Sequence, residues 1–486
     1  MLQTLKNAWN TKEIRNKILF TLLIILLYRV GTVIPVPFVE ANNFAATFSG
    51  TILDYMNTLS GGALGTATLF ALGVQPYINA SIIIQLLAVV FPKLGELAKN
   101  DKEKMNFITR IVTVIIAIIT AIGYYFLLRN GGALTNAATP ADNPASFWFY
   151  GIVIVACYCA GASLVMWLAE RINERGIGNG ISIILFANIV AAVPSKVYQL
   201  VSLVISTYSY NEKPWLYGIV STVFALALVA FVIALVIFVI HITGSERRIP
   251  IQYAKKVVGR KMYGGQNSNL PIKLNMTGVM PIIFASSIVS LIPTILALCN
   301  VKTGGFWDKV NTLLAPSGVI YPVSLFILII AFAYFYTQIT FDPIEVANNL
   351  KKQGGTIPGI RQGRPTSDYI RKILNKITLA GALFLGIIAV LPVVGGPHVL
   401  QHLIDWIVDG SNEARELANL STQSITSIEE YYYRAELQNY ISSIKSGLTS
   451  TFTFGGTTLL IVVGVAIETF RELEAQLTMR NYKGFL

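Results

Sequence analysis

Charge is scarce in this sequence: only 13% of its 486 residues are Asp, Glu, Lys or Arg, against about a quarter in an ordinary soluble domain. With 54% hydrophobic residues and a mean hydropathy of +0.60, the composition excludes both a cytosolic enzyme and a disordered chain. Chemistry-bearing motifs are missing as well. No GxxxxGK[ST] phosphate loop occurs, so no ATP-hydrolysing site is visible, and neither HExxH nor GxSxG is present. Histidine is limited to His241, His398 and His402. The last two are four apart, which would suit one helix face, but without a third ligand they read as solvated loop residues. Cys157, Cys159 and Cys299 lie in or beside apolar stretches and read as small hydrophobes, not as a disulfide or zinc framework. A cleavable signal peptide is not expected either, because the apolar run from Ile18 is too long and has no small-residue cleavage site. No catalytic, metal or cofactor site is therefore expected.

What is abundant is apolar sequence long enough to cross a hydrocarbon core of about 30 Å. Ten such spans are expected, near 18–37, 70–91, 108–128, 148–169, 181–206, 216–242, 274–299, 320–340, 374–394 and 453–470. Pro194 and Lys196 interrupt the fifth. Ionisable groups inside the spans are few, whereas ion-coupled carriers place them near the midplane. Arg29 is the main exception, and it reads as snorkelling or packing against the bundle. Glu468 falls at the end of the last span. If the N-terminus is cytoplasmic, 28 of the 37 Lys and Arg residues lie in the inner segments. The positive-inside rule then puts both termini in the cytoplasm. The net charge of +12 becomes a property of one membrane face, which reduces a nucleic-acid reading to a ribosome contact at most.

Two inner loops, 243–273 and 341–376, exceed the two to eight residues of simple helix connectors. Their Gly, Pro and basic residues suit ordered hairpins that protrude towards a partner. Segment 49–68 lies outside between the first two spans and is mildly apolar. It fits either a re-entrant helix, tolerated at membrane depth only inside protein, or an ordinary surface helix. The spans divide into halves at 1–210 and 211–486, which would suit an inverted repeat, although no similarity between the halves is visible.

Within the spans, small and neutral polar residues are interleaved with branched aliphatics, as in "GVQPYINASIIIQLL" at 73–87 and "FGGTTLLIVVGVAIET" at 454–469. Small residues permit close helix approach in lipid. Pro76 and Pro281 are expected to break the helical ladder early in their spans. Plain helix packing accounts for the pattern, and so does a narrow apolar constriction that excludes water.

Several strings resemble the SecY family, the channel subunits of bacterial protein export. "SGGAL…FALGVQPYINASIIIQLL" is similar to its plug and second span, "GIGNGISI" to the opening of its fifth span, and "NMTGVMPIIFASS" to that of its seventh. "PGIRQGRPT" resembles its second long cytoplasmic loop, "FGGTTLLIVVG" its tenth span, and "LEAQLTMRNYKGF" its C-terminal tail. The resemblance runs in order over nearly the whole chain. It implies an all-α integral membrane protein, with ten transmembrane helices in two pseudo-symmetric five-helix halves around a central pore and a short re-entrant plug helix. It implies a passive channel in the bacterial plasma membrane that passes unfolded, signal-bearing polypeptides and opens sideways to the lipid bilayer. The small subunits SecE and SecG, the motor ATPase SecA and the ribosome are the partners it implies.

Carried over by position, the resemblance puts a pore ring on Val74, Ile78, Ile181, Leu185, Met280 and Ile461. Val74, Leu185 and Met280 depart conservatively from the family's isoleucine. It puts the plug on about 51–66, with Asp54, Met56 and Leu59, and a lateral gate on Gln85 and Thr277. Motor or ribosome docking falls on Arg247, Arg248, Lys255, Lys256, Arg260, Arg361 and Arg364. One region departs: an outside connection of about 396–450, usually short in the family, which reads as a lineage-specific cap or an inserted segment. The rivals are a secondary transporter of a small solute, which needs a paired midplane charge or ion site, and an intramembrane enzyme, which needs a nucleophile with a base. Neither feature is found.

Overall fold

The computed structural model describes residues 2–40, 52–134, 144–209, 214–253, 256–258, 261–263, 267–298, 310, 320–409 and 456–483. Its elements, in order, are α1 (Leu2–Asn10), α2 (Lys12–Gly31), α3 (Ile52–Leu59), α4 (Gln75–Val90), α5 (Pro92–Asn100), α6 (Lys102–Asn130), α7 (Pro144–Arg175), α8 (Gly180–Ser209) and α9 (Pro214–Gly244). Then come β1 (Glu246–Tyr253), β2 (Lys256–Val258), β3 (Lys261–Tyr263), β4 (Asn267–Lys273), α10 (Met280–Leu298), α11 (Ile320–Thr340), α12 (Pro343–Lys352), β5 (Gly355–Thr356), α13 (Arg364–Asp409) and α14 (Gly456–Lys483).

A helix lies at each of the ten apolar segments. Among the described residues six of them, α6, α7, α8, α9, α11 and α13, are long and apolar enough to cross a membrane. A seventh results if α4 and α5, bent by 118° at Phe91, count as one broken span. The protein is thus a multi-pass membrane protein. The helix α10 is shorter, and α2 and α14 each carry a cluster of charged residues at one end. Large side chains such as Ile119 (64% exposed) and Leu226 (65%) cover the outer faces, while Asn188, Ser287, Ser290 and Thr458 are buried inside. This inverts the polarity of a soluble bundle, as an apolar solvent requires.

Helix starts differ from the expectation for a physical reason. Pro76 and Pro281 stand at the second position of α4 and α10. There the missing N–H is an orphan anyway, so proline begins the helix and does not break it. The two spans accordingly start at 75 and 280, not at 70 and 274. Pro194 does not interrupt the fifth span either, because α8 runs continuously through it. Close packing follows the small residues. A Cβ on Gly464 of α14 would fall 2.1 Å from Val279 Cγ1, and one on Gly456 would fall 1.8 Å from Ile388 O of α13.

The long basic loops are not helical connectors, and they qualify the all-α expectation. β1 pairs antiparallel with β4, from Glu246↔Lys273 to Gln252↔Asn267, and with β5 through Gln252↔Thr356 and Tyr253↔Gly355. The first loop therefore forms the expected hairpin, while the second contributes α12, one short strand and the start of α13. The sheet order β4-β1-β5 ties both loops together over an apolar cluster of Ile249, Ile251, Ile272, Leu350, Ile357 and Ile370. The helix α13 continues to Asp409, so the connection expected from about 396 cannot begin before 410. Residues 410–455 lie outside the described residues. His398 and His402 belong to that helix, not to a loop. Cys157 and Cys159 are free and half-buried on α7, and Cys299 lies outside the described residues.

Candidate functional site

The segment 52–74 folds back into the bundle. Leu53 and Leu59 are buried, each 6% exposed, and α3 packs against α8 and α10. That burial favours the returning helix over an ordinary surface helix. Backbone groups buried away from water must find their partners within the protein. Asn57 Oδ1 accepts from Gly65 N at 2.7 Å, and Ser60 Oγ accepts from Leu64 N at 3.1 Å. Three neighbouring helices supply further donors. Tyr124 OH of α6 donates to Leu64 O, Tyr158 OH of α7 donates to Ala67 O at 3.3 Å, and Asn188 Nδ2 of α8 donates to Leu59 O at 2.7 Å.

On its other side α3 faces α10, where the Thr294 hydroxyl donates to Ser290 O of its own helix at 2.6 Å and lies 3.1 Å from Met56 Sδ. A cavity of about 220 Å³ lies between these helices and α4, lined by Leu53, Met56, Val74, Asn79, Leu185 and Ser287 among others. Its Asn79 Oδ1 is buried with no hydrogen-bond partner. Asp54 belongs to α3.

The first-half helices α4 and α6 meet α10 along a seam with sparse polar contacts. Ser287 Oγ of α10 donates to Gln75 Oε1 of α4 at 3.4 Å. Tyr336 OH of α11 donates to Gln85 Oε1, whose Nε2 donates in turn to Ser81 Oγ at 2.9 Å. Gln85 is therefore at the seam. Thr277 lies in the turn before α10, and its hydroxyl meets Asn275 Oδ1 at 3.5 Å.

Of the six aliphatic positions singled out in the sequence, Val74, Ile78, Leu185 and Ile461 are 1–2% exposed. Ile181 and Met280 are half-buried against the same apolar cluster. The cavity reaches Val74 and Leu185. Arg29 packs against the bundle, with Nη2 donating to Ala187 O at 2.5 Å.

The basic residues gather around the small sheet. Arg247 and Arg248 are exposed on β1, with Arg248 paired to Glu246 at 2.7 Å. Lys256 belongs to β2, while Lys255 and Arg260 lie outside the described residues. Arg361 is exposed in the turn between β5 and α13, where its carbonyl accepts from Thr366 Oγ1 at 2.8 Å, and Arg364 opens α13. No group of three or more His, Cys, Asp or Glu side chains could hold a metal among the described residues.

Sequence reasoning missed Tyr28, Tyr124, Tyr158, Asn188 and Tyr336. The available signal was their type: a hydroxyl or amide in an apolar helix needs a partner once buried.

Comparison with known proteins bears on this arrangement. The SecY family profile matches residues 68–404. Protein translocase subunit SecY of Mycobacterium bovis is 39% identical over 503 aligned positions covering all of both chains, and that of Streptomyces coelicolor is 39% identical over 498. A solved protein-conducting channel covers 95% of this chain and 92% of its own, with a TM-score of 0.55 at 16% identity. Sec61 from a canine ribosome–channel complex does so with a TM-score of 0.52 at 16% identity, again covering 95% and 92%. Identity and coverage at this level, on a bundle of apolar helices with a buried returning segment, mean that the chain belongs to the SecY family.

Proposed function

We propose that this chain is the pore-forming subunit of a protein-export channel in the bacterial plasma membrane. It is a passive conduit, not an enzyme. Unfolded secretory polypeptides pass through it, and membrane segments leave it sideways into the bilayer. Ten helices span the membrane in two halves, 1–210 and 211–486, with both termini cytoplasmic. The waist is the girdle of Val74, Ile78, Ile181, Leu185, Met280 and Ile461, and α3 with its loop is the plug that closes it. The seam between α4 and α10/α11 is the lateral gate, with Gln85 as one of its residues and Thr277 at its edge. SecE and SecG brace the chain, while SecA or the ribosome drives it by docking on Arg247, Arg248, Lys255, Lys256, Arg260, Arg361 and Arg364. The relative seen in a ribosome complex supports the last partner.

The observation that carries this reading is the seating of α3 against α8 and α10, beside a cavity whose lining side chains carry no charge. A solute carrier would instead need a charged or ion-binding midplane. The test is reconstitution of the chain with copurifying small subunits. Energy-dependent uptake of a signal-bearing polypeptide by vesicles is expected. Uptake of a small solute by the chain alone, with no polypeptide transport, would reverse the assignment.

The seam and the long outer segment each carry an expected outcome. Tyr336→Phe removes only the hydroxyl that donates to Gln85 across the seam. One lost hydrogen bond should ease gate opening about threefold, read as faster export of a substrate with a weakened signal. An unaltered rate would remove Gln85 and Tyr336 from the gate. Replacing residues 411–450 by a short Gly/Ser connector should leave translocation intact, since neither girdle nor plug maps there. Complete loss in a stably expressed variant would make that segment part of the mechanism.

A further inference from the structure

We infer that Asn188 is a positioning residue which, with Tyr28, latches α3 to the first half of the bundle and sets how readily the channel opens. The inference rests on the plug reading above and names the groups that hold the plug in place.

Asn188 is fully buried, and its Nδ2 spends both hydrogens on two targets: Leu59 O at 2.7 Å and Tyr28 OH at 2.8 Å. Leu59 is the last residue of α3, so its carbonyl is one that helix geometry leaves without an intrahelical partner. Its acceptor character also fixes the amide orientation, because the flipped amide would set two acceptors against each other. Tyr28 is fully buried too, and no water can replace its hydroxyl in the pair.

The turn after α3 is wedged by the same groups. Gly61 has φ +71°, and a Cβ there would fall 2.8 Å from Arg29 Nη1 and 2.9 Å from Asn188 Oδ1. Arg29 is itself held on α8 through Ala187 O. It brings a cation to the C-terminal end of α3, where the helix dipole favours one.

The two sides of α3 are therefore unequal. Towards α2 and α8 it is held by an amide–carbonyl bond in a buried network. Among the described residues, the polar group of α10 that meets α3 is the Thr294 hydroxyl, 3.1 Å from the Met56 thioether, a weak acceptor. Parting the seam does not by itself release α3, which stays with the first half until the Asn188 bonds break. Asn188 Oδ1 has no partner in this closed arrangement. That orphaned acceptor is a cost of the closed state, and it keeps the latch releasable.

The experiment compares the channel complex carrying wild-type, Asn188→Leu or Tyr28→Phe chains with one lacking residues 52–59. Ion conductance across planar bilayers, export of a substrate with a defective signal, and thermal stability are read at matched protein levels. Asn188→Leu keeps the branching and heavy-atom count of the side chain, is somewhat bulkier, and removes both bonds; it should raise opening frequency and defective-signal export roughly tenfold. Tyr28→Phe, the milder change, should give a smaller rise in both and supports the latch even where Asn188→Leu folds poorly. A merely structural asparagine predicts the opposite split: lower thermal stability with wild-type conductance and export in both variants. That result, alongside a leaky 52–59 deletion, overturns the latch and leaves the plug reading standing. If the deletion is also tight, the plug reading fails and takes the latch with it.

Discussion

Ile461→Asn should make the channel leak. Ile461 is 1% exposed in α14, in the charge-free stretch "GGTTLLIVVG", where Gly456 and Gly464 bring the helix against α13 and Val279. An aliphatic girdle blocks ions because water wets it poorly. It still yields to an extended polypeptide, since it offers no hydrogen bond to hold the chain. An amide in the proposed girdle would favour a hydrated waist. Ion conductance and export of a defective-signal substrate should both rise by an order of magnitude or more, the effect of changing the gate by about 1.4 kcal/mol or more. Were Ile461 an ordinary packing residue, the buried amide would cost about 1–3 kcal/mol and mainly reduce expression. A stable Ile461→Asn protein with neither quantity increased counts against the girdle.

Arg361→Glu should act away from the proposed waist and in the opposite sense. The side chain is exposed in the turn after β5, so reversing its charge removes little packing. The turn itself is fixed: β5 pairs with β1, Thr366 Oγ1 donates to Arg361 O, and Ile357 and Ile360 pack on the apolar cluster beneath. Placing an acid where a partner meets a guanidinium turns an attraction into a repulsion of several kcal/mol. Motor-driven translocation into vesicles should fall at least tenfold, with thermal stability and the closed-state conductance unchanged. Translocation at the wild-type rate would remove Arg361 from the docking surface.

The same two loops show where sequence and structure part. Their basic charge and length were visible residue by residue, and so was the hairpin of 243–273. That β1 would take β5 from a loop about a hundred residues later, and so make one platform of the two, was not visible. Such a pairing is a long-range backbone contact set by how α9, α11 and α13 are packed, and β5 is too short to carry a strand pattern of its own. The residues around α3 teach the same lesson. Its apolar character fitted a surface helix as well as a buried one, and only its neighbours decide. Tyr28, Tyr124, Tyr158 and Asn188 lie on four helices far apart in sequence, and each reads locally as an isolated polar group in an apolar run.

Composition and local pattern were enough to establish a membrane bundle, because charge is scarce and apolar runs repeat. They also showed two long basic loops, the lack of a metal or nucleophile motif and, through strings such as "NMTGVMPIIFASS" and "PGIRQGRPT", the family. The segments that became α2, α4, α6 to α11, α13 and α14 were legible too, since a run of apolar residues in lipid must close its own hydrogen bonds as a helix. Packing alone settled where Pro76 and Pro281 fall in their helices, how far α13 extends, which polar groups meet at the seam, and that Asn188 joins Leu59 to Tyr28. These depend on pairs of groups brought together from distant parts of the chain. No propensity of a single stretch encodes them, because each partner's need for a hydrogen bond is satisfied only once the other helices are in place.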